Sequence, residues 1–244
     1  MIDYLAFPSV ENSNEDGLLA HGGDLEVSTL VSAYAQGIFP WFNDDQPILW
    51  WSPDPRMVLY PENVKISRSL RKTIRQNRFD IRCNTQFERI ISNCALRGAP
   101  SLEEVTEETW ITESVHTAYQ QLHAEGYAHS IEVYEDNQLV GGLYGLALGD
   151  VFFGESMFSL VSNASKVALS ALCAYLGEQN FKVIDCQVSS DHLFSMGAEE
   201  ITRVDFINYL TDINTNIKNA NAKTIRTELP DNITSHLIKA VTTP

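Results

Sequence analysis

The hydrophobic period of this chain switches to two between residues 129 and 155, and that switch limits the available folds more than any other feature. Strand-like runs at residues 129–134, 138–148 and 151–155 are separated by Glu135-Asp136-Asn137 and Gly149-Asp150, short polar turns of the kind that close antiparallel hairpins. From Asn163 the period lengthens to that of a helix, with Ala164, Val167, Ala168, Ala171, Leu172 and Tyr175 on its apolar face, and residues 182–188 return to a strand. This order predicts an α+β domain with a mostly antiparallel sheet and packed helices.

Upstream elements are shorter. Ser28 is a candidate N-cap for a helix bearing Leu30, Val31 and Tyr34 that ends at Gly37. Asn84 or Thr85 opens another through Phe87, Ile90, Ile91 and Cys94, and Thr112 caps a third that stops near Gly126. Residues 101–108 are acidic and weakly patterned and read as an exposed loop. At 244 residues the chain suits a small domain joined to a larger one. The expected division is a small N-terminal domain over 1–62, a larger one over 63–218, and a polar peripheral tail over 219–244.

Three of the four tryptophans, Trp41, Trp50 and Trp51, fall in a stretch interleaved with prolines: Gly37-Ile38-Phe39-Pro40-Trp41-Phe42, then Trp50-Trp51-Ser52-Pro53-Asp54-Pro55-Arg56. Proline fixes φ and removes a donor, so this block is neither a regular helix nor a central strand. It is either a braced core plug or an aromatic ledge for a flat ligand.

The formal net charge of −15 excludes a protein that coats nucleic acid indiscriminately. One region runs against it: seven of the seventeen Lys and Arg residues lie between Lys65 and Arg82. On a helix from Ser67, Arg68, Arg71, Lys72 and Arg75 share one face and Ile66, Leu70 and Ile74 the opposite one, so the basic face is a candidate phosphate-binding patch. Four widely spaced cysteines without a CxxC pair predict reduced thiols and no metal site. The chain has no apolar run of membrane-spanning length, and its first residues lack the basic start of a secretory signal. A cytoplasmic protein is expected.

Two polar clusters sit in the apolar middle. Alternation through Ile184-Asp185-Cys186-Gln187-Val188 puts Asp185 and Gln187 on one face and Cys186 on the packed side, so that Asp185 is expected to accept from the Gln187 amide nitrogen and turn its carbonyl outward. The alternative is a satisfied polar pair at a strand end. In Phe152-Phe153-Gly154-Glu155-Ser156-Met157-Phe158, a carboxylate among large apolar residues needs a cation or a hydrogen-bond network, and Gly154 marks a bulge or a close approach. Ser156 is a poor candidate nucleophile, lacking a G-x-S-x-G elbow, and Cys186 with His192 is a weak dyad. Simple alternation also turns Phe152 and Ile184 away from Glu155 and Asp185.

The motifs LLAHGGDL at Leu18, GIFPWF at Gly37, WWSPDPR at Trp50, Thr109-Trp110-Ile111-Thr112, His129-Ser130-Ile131-Glu132, GGLYG at Gly141, GESMFS at Gly154, Asn163-Ala164-Ser165-Lys166 and Ile184-Asp185-Cys186-Gln187 stand in an order that closely resembles the bacterial leucyl/phenylalanyl-tRNA-protein transferases, over residues 6–210. The resemblance implies transfer of Leu or Phe from aminoacyl-tRNA to the N-terminal Arg or Lys of a protein, which tags it for N-end rule degradation, and an N-acetyltransferase-like (GNAT-type) larger domain. It implies that Trp41 and Trp110 contact the 3′ adenosine, and that Asp185, Gln187 and Glu155 serve the reaction. It further implies that Leu143, Phe152, Gly154, Leu172 and Ile184 line the donor side-chain pocket, and that Arg68, Arg71, Lys72 and Arg75 meet tRNA phosphates. No cofactor, no metal, no membrane and a monomer are expected, with weak use of Met as donor. Two rivals share parts of the pattern. A coenzyme-A-dependent N-acetyltransferase would carry a Gly-rich phosphate loop before the long helix, and residues 157–165 hold no glycine. A noncatalytic tRNA-binding adaptor would keep the ledge and basic face without the polar pair.

Overall fold

The computed structural model describes residues 4–96, 109–218, 229–230 and 232–242. The acidic stretch 101–108 lies outside them. Near the N-terminus β1 (Leu18–His21), β2 (Phe39–Pro40) and β3 (Leu49–Trp51) form a small antiparallel sheet in the order β1-β3-β2, next to α1 (Val27–Tyr34). The helix starts before Ser28, which is therefore interior and not the cap. Gly37 ends it at φ 77°, where an added Cβ would lie 2.4 Å from Ile207 Cδ1. The two halves of the aromatic block have opposite fates. Trp50 is buried, with Nε1 donating to the Gly22 carbonyl at 2.8 Å and its ring edge-on to Phe7, whereas Trp41 is 47% exposed.

The remaining elements are β4 (Arg56–Leu59), α2 (Arg68–Arg75), β5 (Asp80–Cys83), α3 (Phe87–Ala95), α4 (Glu113–Ala124), β6 (Ala128–Glu135), β7 (Gln138–Leu148), β8 (Val151–Ser159), α5 (Ala164–Glu178), β9 (Val183–Gln187), α6 (Asp191–Ser195), β10 (Glu199–Ile201), α7 (Arg203–Tyr209), α8 (Thr211–Lys218) and α9 (Thr234–Thr242). Seven strands make one sheet, β10-β4-β9-β8-β7-β6-β5, antiparallel throughout except for β8 and β9. One face packs against α2, α5 and α9 through residues such as Leu70, Leu172 and Leu237; the other packs against α1, α3, α4, α7 and α8 through Val31, Ile90, Tyr119, Phe206 and Ile213. Covered on both faces, β6 and β7 are buried along almost their whole length.

Ser67 caps α2 and Thr112 caps α4, as their positions predict, with side chains accepting from Leu70 N and Val115 N. Glu132 of the HSIE motif is fully buried because the amides of Thr85 and Gln86, at 2.8 and 2.7 Å, and the Ser130 hydroxyl, at 2.9 Å, all donate to it, which pins the start of α3 to β6.

Two expectations change. β4 lies on the N-terminal side of the division at 62/63, yet it is hydrogen-bonded between β9 and β10 in the large sheet. Its apolar run, Met57-Val58-Leu59, is completely buried. The C-terminal segment is not peripheral where it is described: Ile233, Leu237 and Val241 recur every four residues and are buried against the α2–α5 face.

Candidate active site

β8 and β9 run parallel only through Val151↔Val183, Phe152↔Ile184 and Phe153↔Asp185, and then part. A cavity of about 320 Å³ opens beside that divergence. Leu143, Phe152, Gly154, Leu172 and Ile184, the five expected pocket residues, line it together with Met157, Leu169, Cys186, Val188 and Leu193. Trp41 and Trp110, which are 69 positions apart in the chain, meet at its wall. Trp41 is braced from behind by Trp51, whose Nε1 donates to the Trp41 carbonyl at 2.7 Å, with the two rings tilted at 5.8 Å between centroids.

Two bulges explain why strict alternation misplaces this site. Tyr144 faces Ser156 and Gly145 faces Gly154, so Glu155 is an extra residue on β8, and Phe152 and Glu155 both reach the cavity. The glycine this demands is Gly145 rather than Gly154: an added Cβ at Gly145 would sit 2.1 Å from the Phe153 carbonyl oxygen, while one at Gly154 meets nothing nearer than 3.5 Å. On β9, Met57 pairs with Gln187 and Val58 with Asp185, leaving Cys186 as the extra residue. Cys186 lines the cavity with Ile184 and Val188 and also packs against the buried cluster that holds Leu172, and Gln187 takes a left-handed φ of 64°.

The polar pair is wired differently from expectation. Asp185 does not receive the Gln187 side chain. Its two oxygens accept from Arg56 Nε at 2.8 Å and Nη2 at 2.7 Å, and Oδ1 also accepts from the Gln187 backbone amide at 2.9 Å. Arg56 and Asp185 are fully buried, and the guanidinium lies between the Phe39 and Phe206 rings, 4.8 and 4.7 Å from their centroids. Asp185 is absent from the cavity wall and holds the turn that presents Gln187.

The Gln187 Nε2 instead donates to Glu155 Oε1 at 3.1 Å. A carboxylate accepts only, so this contact fixes the amide nitrogen toward Glu155 and leaves the amide oxygen as the free acceptor. Glu155 also receives the hydroxyls of Tyr34 at 2.8 Å and Tyr119 at 3.0 Å. Burial raises the Glu155 carboxyl to about 7; the two tyrosines and Gln187 pull it down, and the Asp185 charge pushes it up. Burial, with the Glu155 charge, drives both tyrosines well above the ordinary phenol range.

The Cys186–His192 dyad gains no support. Burial holds the Cys186 thiol well above its usual range, and His192 is lowered by burial and by Lys166. Among the described residues no group of three or more His, Cys, Asp or Glu is arranged to hold a metal, and no helix is long and apolar enough to cross a membrane. Arg68, Arg71, Lys72 and Arg75 line one shallow cleft with Gln76, as the helical spacing predicts, while Arg78 and Arg82 pair with Glu135 and Asp80.

Three residues of this network escape sequence reasoning. Tyr34 and Tyr119 fit apolar stripes, and nothing in those stripes distinguishes a hydroxyl aimed at Glu155 from a core ring. Arg56 did leave a signal. It is a cation heading the buried run Met57-Val58-Leu59, where a buried anion is required.

The leucyl/phenylalanyl-tRNA protein transferase family model matches residues 58–211, and the model of that family's N-terminal domain matches residues 23–54. The leucyl/phenylalanyl-tRNA–protein transferase of Azoarcus sp. is 53% identical over 208 residues, covering 84% of this chain and 86% of its own length. Those of Aromatoleum aromaticum and Pseudomonas syringae pv. tomato are 54% and 52% identical, each over 84% of this chain and over 87% and 89% of their own lengths. Among solved structures, an aminoglycoside acetyltransferase from a soil metagenomic sample aligns at 15% identity with a TM-score of 0.35, over 56% of this chain and 89% of its own.

Proposed function

Because this chain belongs to the leucyl/phenylalanyl-tRNA protein transferase family, and so moves an aminoacyl group from tRNA to a protein, we propose that it carries Leu or Phe, and Met weakly, to an N-terminal Arg or Lys by direct aminolysis. Such an addition marks the acceptor for N-end rule degradation. The observation that carries this reading is the Gln187 amide, pinned through Nε2 by Glu155 at the wall of an apolar cavity flanked by two tryptophans.

The donor side chain fills the cavity between Phe152, Leu172 and Ile184, and the 3′ adenosine lies against Trp41 and Trp110. A β-branched Ile or Val meets the wall. An apolar pocket discriminates by only about 1 to 3 kcal/mol per methylene, which leaves room for Met. The ester is already activated, and an α-amine with a pKa of about 8 is partly neutral at pH 7. Its nitrogen attacks the ester carbonyl, the bond to the ribose 3′ oxygen breaks, and the amine proton ends on that oxygen. Gln187 Oε1 accepts a hydrogen bond from the amine and aims its lone pair without gaining the proton. Held in line, amine and ester reach effective molarities of about 10⁵ M or more. Glu155 orients Gln187 from the side chain, and Asp185 with Arg56 orients it from the backbone. No acyl-enzyme forms.

The tRNA acceptor stem rests its phosphates on Arg68, Arg71, Lys72 and Arg75. The splayed parallel pair in an otherwise antiparallel sheet supports a GNAT-like larger unit starting by Arg56, joined to a small unit bearing the ledge. The protein acts as a cytoplasmic monomer without cofactor or metal. A filter assay of labelled Leu moving from charged tRNA to a peptide beginning with Arg, with acetyl-CoA as the rival donor, tests the reading. Transfer of Leu alone is expected. Acetyl transfer, or a trapped acyl-enzyme, refutes it.

A further inference from the structure

α9 lies beyond residue 211, where the family match ends, yet it is bound to the same face of the sheet as the basic helix. The segment before it extends edge strand β5. Asn232 bridges Arg82, the Ile233 amide donates to the Ile81 carbonyl at 3.3 Å, and the Ile81 amide donates to Thr234 Oγ1 at 2.9 Å. Ile233, Leu237 and Val241 bury one side of the helix in the cluster that holds Leu70 and Ile74 of α2. On the flank, His236 and Lys239 both pair with Glu178 of α5 at 2.8 Å.

The far end of α9 meets the basic face. The Val241 carbonyl accepts from Arg71 Nη1 at 2.9 Å and from Arg75 Nη2 at 3.1 Å. The last carbonyls of a helix have no partner within it and carry partial negative charge, so this end suits two guanidinium groups. Each arginine has five N–H donors and gives one to Val241, so most of its fork stays available. Among the described residues, the side chains of Arg68 and Lys72 make no hydrogen bond or ion pair, and they share the cleft with Arg71 and Arg75.

We propose that α9 is a positioning strap for the tRNA-binding surface. Its C-terminal carbonyl holds Arg71 and Arg75 at fixed places on α2, so that the cleft offers acceptor-stem phosphates a preset array of donors. This rests on the reading of α2 as a phosphate-binding surface. Holding two long side chains before binding removes an ordering cost that the complex would otherwise bear, worth about 5- to 150-fold in affinity for the pair.

The test compares two donors in the full-length chain, in a chain stopped after Leu237, and in the Val241→Gly variant. The stop keeps Ile233 and Leu237 in the core and removes the Val241 carbonyl; Val241→Gly loosens the last turn at full length. Thermal melting verifies that each is folded. With leucyl-tRNA, both variants should raise KM about 5- to 150-fold at unchanged kcat. With leucyl-adenosine, which has no acceptor stem to reach α2, both should match the parent. An unchanged or lowered KM for leucyl-tRNA overturns the strap, since the tail would then be neutral or a competitor of phosphate. Equal losses with both donors also overturn it, because the effect would be on the site and not on docking. Arg68→Gln and Lys72→Gln serve as the control on the premise. If they leave the leucyl-tRNA KM and its salt dependence unchanged, the phosphate-binding reading of α2 fails and the strap with it. If they weaken binding while the α9 variants do not, the strap alone fails.

Discussion

Replacing Glu155 by glutamine removes one charge from the site, preserves its shape, and should push stability and activity in opposite directions. In the folded protein the carboxyl titrates near 7 instead of 4.5, chiefly because it is buried. The native state therefore keeps a proton that the unfolded chain releases between pH 4.5 and 7, and stability is lost across that window as pH rises. Glutamine escapes the loss. At pH 8 the variant should be the more stable by about 3 kcal/mol relative to the difference at pH 4.5, or about 6–12 °C in melting temperature for a chain of this size. Tyr34 and the Gln187 Nε2 donate to one Glu155 oxygen and Tyr119 to the other, so the single oxygen of a glutamine cannot accept from all three. That neutral oxygen holds the Gln187 amide without charge assistance, so the amide is fixed less firmly and should turn over part of the time, presenting its NH₂ to the cavity. Transfer of Leu to an Arg-initiated peptide should fall about 10-fold at pH 8. Thermal melts from pH 4.5 to 8.5 and the filter assay measure the two effects. A melting-temperature difference that stays flat with pH would refute the burial argument, and a wild-type rate at pH 8 would refute the orienting role of Glu155.

The same titration predicts that wild-type transfer declines below about pH 7 more steeply than protonation of the amine alone requires; a pH profile identical to that of a free amine of pKa about 8 would contradict this. Truncating Trp41 or Trp110 to alanine should raise the KM for aminoacyl-tRNA by the worth of one stacked base, about 1–3 kcal/mol, and leave the peptide KM unchanged; steady-state kinetics with each substrate varied in turn distinguishes the two. Arg56→Met leaves Asp185 buried without its cation and should cost about 3–5 kcal/mol in chemical denaturation, much of it recovered in Arg56→Met/Asp185→Leu. Activity should stay low in that double variant, since Gln187 has lost the acceptor for its backbone amide; recovery of activity along with stability would show that the pair serves folding only.

The periodic elements were legible in the sequence because each buries a continuous stripe: β6, β7, α5 and the capped starts of α2 and α4 fall where alternation and capping residues put them. β4 and β10 were not. They have four and three residues, and their identity as strands comes from partners far along the chain, a tertiary fact with no local signature. β5 likewise hides between two helices. At the site, residue types were readable and connections were not. Period-two reasoning assumes that no residue is inserted, and the extra residues Glu155 and Cys186 break it where the site is built. The Asp185–Gln187 pairing failed for that reason, and because Asp185 had a stronger partner in Arg56. The stripe of Ile233, Leu237 and Val241 was present in the tail but concealed by its polar composition.

The location of β4 governs when, as well as where, this site exists. Arg56 and Asp185 are 129 positions apart, and contacts of such separation must close a long loop before they are rewarded. During synthesis the aromatic ledge and Arg56 leave the ribosome well before β9, and the guanidinium waits without its carboxylate until Asp185 emerges. Only when β9 docks between β8 and β4 do Gln187 and Glu155 face each other across one cavity. Partly made chains therefore hold no weakened form of the site. The activity should appear in one step late in translation, and a nascent chain ending before β9 should bind charged tRNA poorly and transfer nothing.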